Sequence, residues 1–143
     1  MSIKEYLKQY RKEAVDINKS IKAIEERIQT LRAMQERVSS NISIVNVQKT
    51  PNNDRIADIS MKILDLENKS LLKIEKLLDL QEEKGIEILI DTIDKELLKT
   101  IMYERYINLK KWKDVAKGVN YSESYVKELH GEILKKLRTF SYF

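Results

Sequence analysis

The sequence predicts an all-α protein: a long antiparallel two-helix coiled-coil hairpin followed by a C-terminal helix-turn-helix module. Three observations carry that expectation. Apolar residues recur at alternating intervals of four and three through the first 38 residues, which marks a helix burying one narrow stripe against another helix. The only proline, Pro51, falls in a Ser- and Asn-rich stretch that interrupts this pattern once. With 35% charged residues and three glycines in 143 residues, little else in the chain breaks a helix.

The first rod places Ile3, Leu7, Tyr10, Ala14, Ile17, Ile21, Ile24, Ile28 and Leu31 on one seam, and Gln35 and Val38 continue it. Ser2 and Glu5 fit a capping box at its start, where a side-chain oxygen satisfies an orphan backbone N–H. About 36 residues at 1.5 Å each make a rod of roughly 54 Å. Residues 39–53 read as a linker, because polar residues cluster there and a proline stops any helix from running through. Asn53 is placed to cap the second rod and Asp54 to meet its dipole. That rod is expected from about Asp54 to Thr92. Ile56, Ile59, Ile63 and Leu66 keep the heptad, the register slips near Ser70, and Leu71, Ile74 and Leu78 resume it, as in a coiled-coil stutter.

Charge divides the chain more sharply than its overall +4 suggests. Residues 1–50 carry 10 basic and 6 acidic groups, residues 51–92 carry 6 and 10, and residues 93–143 carry 11 and 7. Two oppositely charged segments suit a self-pairing scaffold, and the basic end suits a polyanion. The expected domains are therefore 1–92, a helical hairpin with its linker at 39–53, and 93–143, a DNA-binding module. The two seams pair either with each other or with those of another chain. A two-helix core is thin, so a homo-oligomer, a dimer first of all, is expected.

The same counts exclude several function classes. Without cysteine there is no disulfide framework and no thiolate zinc site. One histidine argues against a catalytic triad or a His-rich metal centre, and no carboxylate pair stands apart for acid–base work. No catalytic residue, metal ligand or cofactor is expected. No apolar run approaches the roughly 18 residues of a membrane span, and no signal-peptide core is present, so a cytoplasmic protein without membrane contact is expected.

The chemistry-bearing stretch runs from Asp94 to Arg138. Asp94 is positioned to cap a helix through Leu97, Leu98, Ile101, Met102 and Tyr106; Asn108 to Lys111 interrupt it; a short helix follows from Trp112 to about Lys117. Gly118 to Ser122 form a turn in which Asn120 tolerates a left-handed conformation and Ser122 caps the last helix. Val115, Val119, Tyr121, Val126 and Leu129 are spaced as in two steeply crossing helices that share a core, and Ala116 is small where the second must pass closely. That is the pattern of a DNA-binding helix-turn-helix.

These residues also resemble the fourth region of bacterial sigma factors. The resemblance is carried by Tyr103 to Ile107 with Arg105-Tyr106, Trp112 to Ala116 with Val115-Ala116, Tyr121 to Val126, and His130 to Arg138 with Ile133-Leu134-Lys135-Lys136-Leu137-Arg138. It covers about a third of the chain. The whole chain is similar, in length and helical pattern, to short phage and prophage proteins of Gram-positive bacteria, some of them late-gene transcription regulators of the ArpU type. The resemblance implies that the last helix reads DNA in the major groove, within a bacterial host cell. Its exposed face would be Ser122, Glu123, Ser124, Lys127 and Glu128, with Lys127 reaching phosphate or guanine. Lys110, Lys111 and Lys113 are the candidates for positioning on phosphate. Glu123 departs from the family, which commonly has Arg there.

Trp112 and Tyr121 are expected in the module's core, His130 as an exposed helical residue, and Gly131 as a point of close approach to the preceding helix. The apolar tail Phe140 to Phe143 is expected to pack back on the scaffold or to meet a partner. The function expected is that of a sequence-specific, non-enzymatic transcription regulator whose partners are double-stranded DNA and RNA polymerase. Two other readings stand beside it: a DNA-packaging component like a small terminase subunit, and a coiled-coil protein-interaction module.

Overall fold

The computed structural model describes residues 1–45 and 51–137, with no side chains between 41 and 53. Six helices account for it: α1 (Ile3–Val45), α2 (Pro51–Glu83), α3 (Ile86–Asp91), α4 (Glu96–Tyr106), α5 (Trp112–Val119) and α6 (Glu123–Leu137). There is no strand among the described residues, and no helix is long and apolar enough to cross a membrane. The chain divides into two compact units, residues 17–76 and residues 1–16 with 77–143. This differs from a division at 92/93.

The unit of residues 17–76 is the hairpin, and α1 and α2 pair antiparallel within one chain. Ile28, Leu31 and Val38 of α1 bury against Ile59 and Ile63 of α2, with Ile24, Met34, Ile56 and Leu66 packed around them. Two cross-helix contacts set the direction. Gln35 Nε2 donates to Ser60 Oγ at 2.6 Å, and Arg32 pairs with Glu67 at 2.8 Å, so position falls along α1 as it rises along α2. Helix α1 runs through to Val45 and occupies half of the stretch expected as linker. Ser39 and Ser40 lie on its exposed side, where serine lowers helix propensity by only a few tenths of a kcal/mol. Pro51 opens α2, where its missing N–H breaks no helical bond. Asn53 thus lies inside the helix and is not its cap.

The expected stutter is not there. Ser70 is buried on the seam, so the heptad of Ile59, Ile63 and Leu66 continues through it, while Leu71 and Leu72 point to solvent. The two leucines belong to a different face of α2.

The other unit is built from shorter helices. Helix α2 ends at Glu83, nine residues short of the expected Thr92, because Gly85 takes φ 65°, a left-handed conformation open to glycine at no steric cost. Helix α3 buries Ile86, Leu89 and Ile90, and α4, α5 and α6 pack on one another. Lys95, in an extended conformation, precedes α4 with no side-chain cap, so Asp94 does not serve as one. The first turns of α1 belong to this unit. Ser2 Oγ accepts from the Glu5 N–H at 3.2 Å, as the capping pattern predicts, and Ile3, Leu7, Tyr10 and Ala14 are all buried. The sequence-predicted seam is therefore continuous, but its first four members cover this unit and not the hairpin. The tail from Phe140 to Phe143 lies outside the described residues.

Candidate nucleic-acid interface

Helix α5 is short because its end is chemically marked. Asn120 adopts φ 63°, ψ 36°; the Asn120 N–H donates to the Lys117 carbonyl at 3.4 Å and the Tyr121 N–H to the Ala116 carbonyl at 3.2 Å. These are the two bonds of a Schellman ending, with asparagine at its left-handed residue. The chain turns within two residues, and Ser122 opens α6: its Oγ accepts from the Tyr125 N–H at 3.2 Å. Across the turn, Val115 and Ala116 of α5 pack with Val126 of α6 and Ile101 of α4, and Leu97, Trp112, Val119 and Leu129 surround them. Ala116 is 3% exposed, so a larger side chain would displace this packing.

With Val126 inward, the first turns of α6 leave Glu123, Ser124, Lys127 and Glu128 exposed, with Ser122 just ahead of them. Lys127 Nζ pairs with Glu123 Oε1 at 3.2 Å, one turn apart. The face thus carries one cation against two carboxylates. Lys111 and Lys113 are exposed at the start of α5. Lys110 is exposed as well, but its ammonium pairs with Glu104. That contact, ahead of an opposing burial effect, holds the Glu104 carboxyl below its ordinary range. Of the three lysines, Lys110 is the least available to a phosphate.

Tyr121 is not a core residue. It is exposed beside Tyr125, with ring centroids 5.2 Å apart, because it lies in the turn and not on the inward stripe of either helix. Gly131 makes no close approach, since a Cβ built there would meet nothing within 4 Å. His130 is not an exposed histidine. It follows Val126 by four positions, which places it on the same inward side of α6. Its Nε2 lies 2.6 Å from the Tyr106 hydroxyl, its ring stacks on Tyr106, and it meets Trp112 edge-on at 4.6 Å. Burial first, then the charges of Arg105 and Lys4, push its imidazole down to about 4, so it is neutral at pH 7.

Behind this face lies a polar network absent from the expectations. The loop between α4 and α5 turns on Leu109, a buried non-glycine residue at φ 59°, a conformation that must be held by its surroundings. Arg11 of α1 holds it: Nε donates to the Arg105 carbonyl at 3.3 Å, and Nη2 donates to the carbonyls of Leu109 at 3.3 Å and Lys110 at 3.1 Å. Arg105 Nη1 reaches the same Lys110 carbonyl at 3.1 Å, while its guanidinium stacks over Trp112 at 4.3 Å. Next to them the Tyr10 hydroxyl donates to the Tyr106 carbonyl at 2.5 Å. Burial raises the hydroxyls of Tyr10 and Tyr106 to about 12 and lowers Arg105 to about 10. The signal that could have found this network is Tyr10, the one aromatic residue in an aliphatic seam, with a cation directly after it.

No family model, no curated protein and no solved structure matches the chain. Among the described residues no three His, Asp or Glu side chains gather as a metal site would require.

Proposed function

We propose that α5 and α6 form a helix-turn-helix that docks α6 in the major groove of double-stranded DNA, and that the protein is a non-enzymatic, sigma-like transcription regulator of phage origin. The observation that carries this reading is the turn. A left-handed Asn120 and a Ser122 cap reverse the chain in two residues over a shared core of Val115, Ala116 and Val126, which leaves the N-terminal half of α6 open to solvent. Recognition helices meet base edges through that half. The surplus of basic over acidic residues in 93–143 gives the sign of charge that a phosphate backbone selects.

The roles follow from the contacts. Lys127 is the base-reading candidate; Glu123 holds it in register in the free protein and accepts from a cytosine amino group when docked. Ser122 and Ser124 supply short donors at the helix start. Lys111 and Lys113 position the module on phosphate, and Lys110 joins them on release from Glu104. Regulation then proceeds through contact with RNA polymerase in the cytoplasm of the bacterial host.

The test is duplex binding by the full chain, using DNA of its own genome, at ionic strengths from about 50 to 200 mM. Each phosphate neutralised adds close to one unit to the slope of log affinity against log salt. A slope of about three or more, reduced by about one in Lys113→Ala, supports the reading. Absent binding, or binding indifferent to salt, overturns it.

A further inference from the structure

Helix α2 carries two apolar faces, and the hairpin uses one. Opposite the seam of Ile59, Ile63 and Leu66 stand Met61, Leu64, Leu71 and Leu72, which are between 51% and 66% exposed. Their spacing places them on one broad stripe of the helix, and the exposed Asn68 sits at its middle. Four large apolar side chains gathered on a single helical face are unlike the scattered exposed hydrophobics of ordinary surfaces.

The neighbouring charges say what covers the stripe. Along its flank, Asp58 and Asp65 precede Asn68, and Lys69, Lys73 and Lys76 follow it. The three lysines rim a groove floored by Ile24 and Leu72. We propose that this face is an isologous interface with a second copy of the chain, in which two α2 helices pair antiparallel about a two-fold axis at Asn68. Reversal sets Leu64 against Leu72 of the second copy and brings Asp58 and Asp65 to the lysine-rimmed groove. Asn68 meets its own equivalent at the axis, where one polar residue in an apolar interface fixes register and direction. The interface belongs to residues 17–76 alone and stands whether or not the other unit binds DNA.

The chain has no cysteine, so single cysteines report the geometry directly. Sedimentation equilibrium of the full chain should give a dimer, and Leu64→Glu with Leu71→Glu should raise its dissociation constant by about tenfold or more while circular dichroism stays unchanged, since both positions are exposed in the single chain. Under oxidation Asn68→Cys should cross-link to itself. Met61→Cys should not, because its two copies lie 14 positions apart across the axis, about 21 Å. A chain that sediments as a monomer up to millimolar concentration overturns the proposal. So does a dimer indifferent to the Leu64 and Leu71 changes, or equal cross-linking at positions 61 and 68, which would mean parallel helices.

Discussion

The hairpin and the other unit are held together by different kinds of side chain. Residues 17–76 rely on an aliphatic seam, with their polar cross-helix contacts at its edge: Arg32 with Glu67, Gln35 with Ser60. The unit of residues 1–16 and 77–143 sets buried tyrosines and half-buried histidine and arginine among its apolar groups; the Tyr10 hydroxyl and Arg11 close on backbone carbonyls, and His130 Nε2 meets the Tyr106 hydroxyl. An aliphatic seam tolerates sliding by a heptad and sets distance more than position. A network of hydroxyl, imidazole and guanidinium groups is held by directional bonds, and it costs free energy if any member is removed. The exposed half of α6 stands on the second kind of foundation, which suits a surface that must present side chains in a fixed geometry.

The largest expected effect comes from removing the centre of that network. Tyr10→Ala should lower the stability of the unit by about 3–5 kcal/mol in urea unfolding, as for other buried aromatic truncations. Tyr10→Phe should cost about 1–2 kcal/mol, since it leaves the Tyr106 carbonyl without its donor. A loss below 1 kcal/mol in the alanine variant would show that the first turns of α1 do not hold the unit.

Next in size is the pH dependence. His130 has a folded-state value of about 4 against an ordinary 6.5, so between those limits the unfolded chain binds the extra proton. Stability therefore rises with pH across that window, is fully present above pH 6.5, and is lost as pH falls toward 4. The loss amounts to roughly 2–4 kcal/mol. Trp112, the only tryptophan, touches the His130 ring, so its fluorescence follows this unit during denaturation. In His130→Phe the dependence in that window should flatten. An unchanged slope in the variant would mean that carboxylates, and not His130, govern acid sensitivity.

Smaller effects separate the regions further. Gly131→Ala should stabilise the second unit by up to about 1 kcal/mol, because helix propensity improves and nothing occupies the space of the added methyl. In the hairpin, Arg32→Ala should cost less than about 1 kcal/mol, and less still at high salt, as befits an exposed pair. Thermal melts of the two variants, each at low and high ionic strength, check both signs. A large salt-resistant loss for Arg32→Ala would erase the contrast between the regions.

Much of this architecture is legible in the residues. The four-three spacing finds both rods, the seam of the first and that of the second as far as Leu66, and Asn120 with Ser122 finds the turn, because these are local rules of backbone and period. What is not legible depends on which elements meet. Tyr10 and Arg11 read as members of a coiled-coil rod until α4 and its loop are found against them. His130 could have been placed inward by counting four from Val126, but its partner Tyr106 comes from another helix. Leu71, Ile74 and Leu78 look like a shifted register because period alone cannot tell a slipped seam from a second face; the burial of Ser70 and the exposure of Leu71 and Leu78 decide against the slip. Of the candidate interface, the exposure of Glu123, Ser124, Lys127 and Glu128 follows from helical period. The engagement of Lys110 by Glu104 and the support of its carbonyl by Arg11 do not, since both need the fold of the loop at Leu109.

The most direct measurement compares two affinities of the chain under one salt condition: for a duplex selected from a random pool, and for the unselected pool. Wild type should favour the selected duplex by about 1,000-fold or more. Lys127→Ala should lose about 1–3 kcal/mol on the selected duplex and little on the pool. Equal losses on both would reduce Lys127 to a phosphate contact, and a wild-type protein that binds the two alike would contradict sequence-specific recognition by α6.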